Sequence, residues 1–365
     1  MKILHVLYSG LGGHSNVFFS LVKADQEHEF EHEAIFNGIE DVRQDYVDNC
    51  NANKIPWRFL KKKPGRHLAF FWKMQNAIRA SKADIVFLHG SVYAIPAKIA
   101  TWFSGRSQKI IVRETQANHL KSKNEWLALK IAMLVADKIV FLSNEYKVEV
   151  EKILGRFYLQ NKSLVIPNGL DITFYKPGNH VKSKPAIIGM QSRLVAIKDH
   201  ATLLKAFALV KASMPGEVKL KIAGDGETRQ SLKKLSASLD LENDVFFTGM
   251  LNEKELLTFL QSLDVYVHAS LGETMSTAIM QAMACRLPVI ASDVPGINNM
   301  IKNEVTGILV PVYDEKKLAA SILLLLNNIA IANTFAVASY NFALQHYSYK
   351  KMFEKYKAIF LTQNN

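Results

Sequence analysis

One stretch in the last third of the chain restricts the possible folds more than any other. The apolar run at 265–269 predicts a buried strand, and Ser276 and Thr277 can cap a following helix that is rich in Ala and Met. The apolar run at 287–292 predicts the next strand. In such a unit the backbone N–H groups at the start of the helix point to the carboxyl edge of the sheet. The segment therefore predicts a parallel α/β sheet with a phosphate-type anion at Met275–Thr277.

Two polar side chains flank this expected anion site and can bind hydroxyl groups. Glu273 precedes the helix, and Gln281 lies one turn beyond Thr277 on the same helical face. Their spacing resembles the Glu–seven residues–Glu motif of the retaining glycosyltransferases of family 4, which have the GT-B fold, but the second glutamate is Gln281 here. The resemblance implies that Glu273 contacts the donor sugar and that Gln281 holds the nucleotide ribose. Taken alone, the segment is also compatible with an ordinary helix N-terminus and a solvated glutamate.

The loop after the apolar run at 186–190 carries two cations, Arg193 and Lys198. Two cations at the carboxyl edge of a sheet can neutralise a diphosphate, and arginine can do so with two parallel hydrogen bonds. The segment resembles the family's Gly-Arg-Leu…Lys-Gly motif, with Ser192 and Asp199 in place of the glycines. The loop is therefore the predicted site of the donor's diphosphate, with Arg193, Lys198 and Glu273 as catalytic residues.

Two later turns contain glycine and resemble the family's turns in which backbone groups contact the nucleotide base. The resemblance implies donor binding at Gly224, Gly249 and Met250. Asp225 and Glu227 could be taken for a metal-binding pair, but a turn accounts for them and no other acidic cluster in the sequence supports a metal. No metal and no other cofactor is expected.

The first half of the chain predicts a second open parallel sheet. Apolar segments at 2–8, 32–37, 84–89, 109–113 and 138–142 alternate with helical stretches. Ligands of such sheets bind beyond the carboxyl ends of the strands. The resemblance places the Gly12–Gly13 turn near the donor's phosphates and the acceptor. It places His89 near the donor sugar, as a fourth predicted catalytic residue. A tight turn and a structural histidine are the simpler alternatives. The residues predicted on the acceptor side are His14, Arg113 and Glu114.

The chain of 365 residues is too long for one ordinary core and predicts two domains. Pro167-Asn-Gly-Leu-Asp171 resembles the family's signature at the crossing between domains, and 176–185 has the composition of a linker. The resemblance implies two Rossmann-like parallel-sheet domains that face each other across a deep cleft. The expected divisions are an acceptor-side domain at 1–175, a linker at 176–185, a nucleotide-sugar domain at 186–340 and a helix at 341–365 that crosses back.

The formal charge of +12 favours nucleic acid, an anionic membrane or phosphorylated substrates without choosing among them. Between Asp48 and Asp84 there is no acidic residue, while basic and aromatic side chains are interleaved. This composition suits an anionic membrane surface or single-stranded nucleic acid. It also suits a solvated basic face with its aromatic side chains in the core. Because many relatives in the family glycosylate lipid-linked acceptors, the resemblance favours a membrane surface at 54–82 and no nucleic acid.

The resemblance extends over nearly the whole chain and predicts a metal-independent retaining glycosyltransferase. The expected donor is a nucleotide-diphosphate sugar, with UDP favoured, and the expected acceptor is lipid-linked or a saccharide. The expected setting is bacterial cell-surface polysaccharide synthesis, such as O-antigen or capsule, at the inner face of the plasma membrane, with the protein cytoplasmic and peripheral.

Several alternatives stay open at the level of sequence. A nucleotide-sugar epimerase can share this architecture, and a nucleic-acid-binding protein would explain the basic charge. Gln281, and Asn299 in a turn where the family usually has an acid, would also suit a degenerate, non-catalytic partner subunit. Cys50 and Cys285 match no metal-ligand spacing and are expected to be free thiols.

Overall fold

The computed structural model describes residues 1–10, 12–63, 65, 68–105, 107–179 and 184–362. The chain divides into two compact units, Met1–Gly169 with Tyr349–Asn365, and Leu170–Ser348. The first unit thus ends at Gly169 rather than at the expected residue 175, and the second runs to Ser348 rather than 340. Part of the expected linker, 180–183, lies outside the described residues.

The first unit contains a seven-stranded sheet in which every pair of neighbours is parallel. Its order is β3-β2-β1-β4-β5-β6-β7. The strands are Lys2–Tyr8 (β1), Glu31–Gly38 (β2), Trp57–Lys61 (β3), Ile85–Leu88 (β4), Lys109–Arg113 (β5), Lys138–Phe141 (β6) and Ser163–Val165 (β7). The helices between them are Gly13–Ala24 (α1), Gln44–Ala52 (α2), Leu68–Ser81 (α3), Ala94–Trp102 (α4), Lys123–Val135 (α5) and Asn144–Leu154 (α6).

The second unit contains a six-stranded sheet, also parallel throughout. Its order is β10-β9-β8-β11-β12-β13. The strands are Ala186–Gln191 (β8), Val218–Ala223 (β9), Val245–Gly249 (β10), Val265–His268 (β11), Val289–Ser292 (β12) and Ile308–Val310 (β13). The helices are His200–Ser213 (α7), Arg229–Ser238 (α8), Glu253–Gln261 (α9), Thr277–Ala284 (α10), Glu315–Asn327 (α11) and Ile329–His346 (α12).

The last helix, Tyr349–Leu361 (α13), returns to the first unit. Its apolar face, including Met352, Phe353 and Tyr356, is buried with residues of the first sheet such as Phe87. At the start of α13 the chain passes very close to the end of the first unit: a Cβ added to Gly169 would lie 2.4 Å from the Cα of Tyr349. Only glycine allows that approach.

The prediction of two Rossmann-like parallel sheets is confirmed, while the cleft between the domains stays a prediction. Nearly every residue of the central strands β4 and β11 is buried, because helices cover both faces of a parallel sheet. Cys50 and Cys285 are buried free thiols, as expected. Among the described residues no single helix is long and apolar enough to span a bilayer. The helices α11 and α12 have that length and composition only when taken together, and they bend by 100° at their junction.

Candidate active site

Glu273 lies at the centre of a group of polar side chains in the second unit. Its Oε1 forms an ion pair with Lys198 Nζ and accepts a hydrogen bond from His268 Nε2 at 2.9 Å. Lys198 follows β8 and His268 ends β11, which are neighbouring strands. The two loops are joined by a hydrogen bond of 2.8 Å from the Leu271 amide to the Ile197 carbonyl. The structure thus brings the predicted Lys198 and Glu273 together at the carboxyl edge of this sheet.

The charges in this group are well defined at neutral pH. Burial alone would raise the pKa of Glu273, but Lys198 and His268 outweigh it and lower this pKa to about 2. Burial lowers the pKa of His268, although its bond to Glu273 acts in the opposite direction. The group therefore contains a carboxylate, an ammonium and a neutral imidazole.

Two histidines near Glu273 were not predicted as site residues. A neutral His268 that donates from Nε2 has its lone pair on Nδ1, which lies 3.2 Å from the Tyr266 hydroxyl; that hydroxyl also lies 3.3 Å from the carbonyl oxygen of Gln191. His200 Nε2 lies 2.9 Å from Ser192 Oγ, and burial, together with the nearby His268 and Lys198, lowers the pKa of His200 to about 3. The available signal was the position of His268 as the last residue of a buried strand, at the edge where ligands bind.

Arg193 differs from Lys198 in that its side chain is exposed and forms no hydrogen bond or ion pair within the described parts of the chain. The backbone beside it is held firmly: the Leu194 amide donates to Asp225 O at 2.9 Å, and Leu194 O accepts from Thr228 N at 3.0 Å. Arg193 therefore presents an unused guanidinium on a loop that is fixed in place, which suits an anionic ligand.

The predicted donor-binding glycines shape the neighbouring turn. A Cβ at Gly224, where φ is +131°, would lie 1.9 Å from the Ser192 carbonyl oxygen, so this position requires glycine. The Gly224 amide donates to Gly249 O at 2.8 Å. Gly249 has φ +77° with open space around it, and the neighbouring Met250 is exposed. The structure thus places these three residues together beside the Arg193 loop.

The helix α10 begins as the sequence predicts. Ser276 is its N-cap and accepts a hydrogen bond from the Ile279 amide at 3.4 Å, with Met275 before it and Thr277 as the first helical residue. Ser276 Oγ also lies 3.3 Å from His268 Nε2, which ties the start of the helix to the group around Glu273. Gln281 is buried inside the helix, and its Oε1 accepts a hydrogen bond from Gln191 Nε2.

In the first unit the Gly12–Gly13 turn lies at the start of α1. The Gly12 backbone is extended, and Gly13 is the first residue of the helix. The turn is anchored by Ser15, whose Oγ bonds the Tyr46 hydroxyl at 2.6 Å. His14 Nε2 bonds the Tyr8 carbonyl oxygen at 3.2 Å.

His89 and Glu114 follow the ends of β4 and β5, and Arg113 is the last residue of β5, as predicted for that edge. Arg113 is buried and donates to Asn168 Oδ1, while Nε and Nη1 have no hydrogen-bond partner among the described residues. Glu114 is also buried and lies 3.5 Å from Lys121 Nζ. Glu114 is therefore already engaged inside the unit, and its role towards an acceptor stays a prediction, as does that of Arg113.

Solved structures match this architecture over its whole length. Anabaena HepE in complex with UDP and glucose matches with a TM-score of 0.83 and 20% sequence identity, covering 100% of both chains. Staphylococcus aureus TarM, in a complex that includes UDP, matches with a TM-score of 0.80 and 14% identity, covering 99% of this chain and 100% of the other. These matches, together with the two parallel sheets, show that the fold is GT-B.

Two family models divide the chain between them. Glycosyltransferase Family 4 matches residues 11–174, and Glycosyl transferases group 1 matches residues 171–341. The chain belongs to the group 1 glycosyltransferases.

Curated relatives share part of the chain. One is the alpha-monoglucosyldiacylglycerol synthase of Streptococcus pneumoniae, 32% identical over 50% of this chain and 41% of that protein. Another is the Escherichia coli UDP-Gal:alpha-D-GlcNAc-diphosphoundecaprenol alpha-1,3-galactosyltransferase, 26% identical over 66% of this chain and 66% of that protein. The chain therefore spans less than two thirds of the length of these relatives.

Proposed function

We propose that this protein transfers a sugar, with retention of configuration, from a UDP-sugar to a lipid-linked or saccharide acceptor in bacterial cell-surface polysaccharide synthesis. The observation that carries the proposal is the group of Lys198, Glu273 and His268 at the carboxyl edge of the second sheet, with the unused guanidinium of Arg193 on the same loop as Lys198. The UDP bound to HepE supports the donor class, and the names of the two curated relatives support a lipid or lipid-linked acceptor.

The chemical task of such an enzyme is to stabilise a departing diphosphate. The bond between the sugar and phosphate breaks with oxocarbenium character, so negative charge develops on the leaving group. Arg193, Lys198 and the first amides of α10 would supply positive charge there. The same cations make a metal unnecessary, and we expect activity to persist in the presence of EDTA.

Glu273 would orient the donor sugar rather than attack it. Its pKa of about 2 keeps it a carboxylate at neutral pH, so it can accept hydrogen bonds from sugar hydroxyl groups but cannot act as an acid. His268 holds one of its oxygens in place at 2.9 Å. Lys198 is then shared between this carboxylate and the diphosphate.

The direct test is transfer of labelled sugar from a panel of UDP-sugars into the lipid fraction of bacterial membranes. We expect Arg193→Ala and Lys198→Ala each to lower the rate by about 30- to 1,000-fold, since one charged contact to a leaving group is worth about 2–4 kcal/mol. Lys205→Ala, which removes an exposed lysine on α7, is the matched control and should leave the rate unchanged.

Three results would contradict the proposal. Wild-type rates in both Arg193→Ala and Lys198→Ala would remove the diphosphate assignment. Isomerisation of the donor sugar without any acceptor would indicate an epimerase. A product of inverted anomeric configuration, seen in the proton NMR couplings, would exclude retention while leaving transfer intact.

A surface in the first unit suits docking on an anionic membrane. Leu68, Phe71 and Trp72 at the start of α3 are exposed by 82%, 37% and 62%. Val92, just before α4, and Ile95, in its first turn, are also exposed. We call these five residues the docking face. Its two halves are joined by Tyr93, whose ring centroid lies 6.4 Å from that of Phe71.

Several lysines lie close in sequence to the docking face. Lys61, Lys62 and Lys63 precede α3 and Lys73 lies within it, whereas neither α3 nor α4 contains a carboxylate. Exposed Trp and Phe beside Lys suit the headgroup zone of an anionic bilayer, where each cation near the surface contributes about 1 kcal/mol. We therefore propose that the protein binds peripherally to the cytoplasmic face of the membrane, where a lipid-linked acceptor would be found.

A further inference from the structure

Three histidines lie on one face of the first sheet. His5 in β1 is opposite Ala34 in β2 and Phe87 in β4. His32 precedes Ala34 by two residues and His89 follows Phe87 by two, so all three side chains project from the same face. They form a diagonal that runs from the amino edge of the sheet at His32 to its carboxyl edge at His89.

Hydrogen bonds connect these side chains into a chain. His32 Nδ1 lies 3.1 Å from His5 Nε2, and His5 Nδ1 lies 3.2 Å from His89 Nε2. His5 is completely buried, and its two ring nitrogens contact the two neighbouring histidines. At the far end, Asp25 Oδ2 lies 3.6 Å from His32 Nε2, which is an electrostatic contact longer than a hydrogen bond.

The protonation states of these side chains determine which nitrogen donates in each hydrogen bond. Burial lowers the pKa of both His5 and His89 well below the usual range, and the nearby Arg113 and His14 act in the same direction on His89. Both rings are therefore neutral and carry one hydrogen each. Burial would raise the pKa of Asp25, but the nearby His32 and hydrogen bonds from two backbone amides lower it, so Asp25 is a carboxylate.

The carboxylate selects one of the two possible arrangements. A lone pair on His32 Nε2 would face the negative charge of Asp25, so the hydrogen belongs on that nitrogen. His32 Nδ1 then accepts from His5 Nε2, and His5 Nδ1 accepts from His89 Nε2. His89 Nδ1 is left with a lone pair, and this buried atom has no hydrogen-bond partner among the described residues. A buried acceptor without a donor is costly and is expected to be satisfied by a ligand.

We propose that Asp25, His32 and His5 are positioning residues that hold His89 with its hydrogen on Nε2, so that Nδ1 accepts a hydrogen bond from a hydroxyl group of the substrate. The identity of the hydroxyl group as that of a sugar rests on the proposed function, whereas the arrangement of hydrogens does not. The two parts can therefore be tested separately.

The arrangement of hydrogens is tested on the full chain without substrate. Long-range proton–nitrogen NMR of protein labelled with ¹⁵N-histidine distinguishes protonated from unprotonated ring nitrogens, and His89→Asn, His5→Asn and His32→Asn assign the signals. We expect hydrogen on Nε2 and none on Nδ1 for all three histidines. Hydrogen on His89 Nδ1, or on both nitrogens of His32, would overturn the proposal.

Substitution at the far end should change the signals of His89. Asp25→Asn removes the charge and keeps an acceptor oxygen for one of the two backbone amides, those of Glu29 and Phe30, that donate to the carboxylate. We expect this variant to convert the single tautomer of His89 into a mixture. The matched control is His28→Asn, an exposed position in the same loop, which should change nothing. An unchanged His89 spectrum in folded Asp25→Asn would show that Asp25 does not determine the tautomer of His89.

The hydroxyl contact is tested by transfer kinetics. His5→Phe keeps an aromatic ring beside Phe18 but breaks the hydrogen bonds of His5 to His32 and His89. We expect it to lower kcat about tenfold, which corresponds to the loss of one hydrogen bond between His89 and the substrate. Asp25→Asn should lower kcat by less, with KM for the donor within about twofold of wild type. Wild-type kcat in both variants would refute the positioning role. Absence of transfer by the wild type would instead refute the proposed function and leave the NMR result standing.

Discussion

Gln281 is the residue at which the chain departs most plainly from its family's motif. The side chain is buried, its Oε1 accepts from Gln191 Nε2, and its amide also bonds the hydroxyl group of Tyr175. A glutamate at this position would still accept from Gln191, and Tyr175 could donate to it. The surroundings therefore tolerate either residue, and the structure gives no reason to regard Gln281 as a sign of lost activity.

Substitutions at Gln281 and Glu273 should have very different effects. A carboxylate accepts charge-assisted hydrogen bonds from both ribose hydroxyls, so Gln281→Glu should change donor affinity by about 1 kcal/mol, or several-fold. Glu273→Gln leaves Lys198 without its counter-charge and should lower the transfer rate far more, with donor binding less affected. Calorimetric titration with the donor and the transfer assay measure the two effects. If Gln281→Glu turned an inert protein into an active enzyme, the wild type would be a degenerate partner.

The decrease in the free energy of unfolding at acid pH should depend on Glu273. Its pKa is about 2 in the folded protein against an ordinary value of 4.5, so below 4.5 the unfolded chain binds more protons than the folded one. The stabilising effect of this carboxylate is complete above pH 4.5 and is lost as the pH falls towards 2, on the order of 3 kcal/mol. Melting temperatures measured across this range should fall less steeply in Glu273→Gln than in the wild type; parallel profiles would refute the assignment.

Functional residues could be predicted from the sequence where they lie in a short motif. Arg193, Lys198 and Glu273 stand in short segments whose spacing indicates their chemistry, and the structure brings Lys198 and Glu273 into contact. His5 and His32 belong to no such segment. Their contact depends on the register between β1 and β2, which a sequence alone does not contain.

At the scale of elements, the strand β3 was not predicted. Trp57–Lys61 lies in the basic, aromatic stretch that was interpreted as a surface, yet it pairs with β2 at the edge of the sheet. Arg58 Nη2 contacts the buried Glu33 at 2.7 Å, so its charge is neutralised inside the unit. Basic residues on an edge strand obscure the apolar pattern that identifies a central strand. Phe70 of α3 is likewise buried, and Arg66 lies outside the described residues.

The lysines near the docking face should attract vesicles of anionic lipid. Lys61 already pairs with Asp41 at 2.8 Å, so the informative variant is Lys62→Glu with Lys63→Glu. We expect this variant to bind vesicles of anionic lipid at least tenfold more weakly than the wild type in co-sedimentation, and binding to fall with added salt. Trp72→Ala should weaken binding with little change in the salt dependence.

A matched change of charge elsewhere provides the control for the docking face. Lys233→Glu with Lys234→Glu alters two exposed lysines on α8 of the second unit and should leave vesicle binding near the wild-type level. Equal, salt-insensitive binding of the wild type to anionic and neutral vesicles would contradict electrostatic docking.

At the scale of the whole molecule, the sequence predicts the two parallel sheets because buried parallel strands are continuous apolar runs separated by helical patterns. The sequence predicts the position of the boundary between the two units less accurately than it predicts the sheets. Linker composition pointed to 176–185, whereas the first unit ends at Gly169, where close approach to Tyr349 requires glycine. Such an approach joins distant parts of the chain and leaves only a lone glycine as its signal.

The most direct test of the central claim is a calorimetric titration of the full chain with UDP, with ADP and GDP for comparison. The second unit contains Arg193, Lys198, Glu273 and the start of α10, so the nucleotide diphosphate should bind without any acceptor. We predict binding of one UDP per chain, at least tenfold weaker in Arg193→Ala and unchanged in Lys205→Ala. The absence of UDP binding at millimolar concentration, or equal affinity in the wild type and Arg193→Ala, would contradict the account.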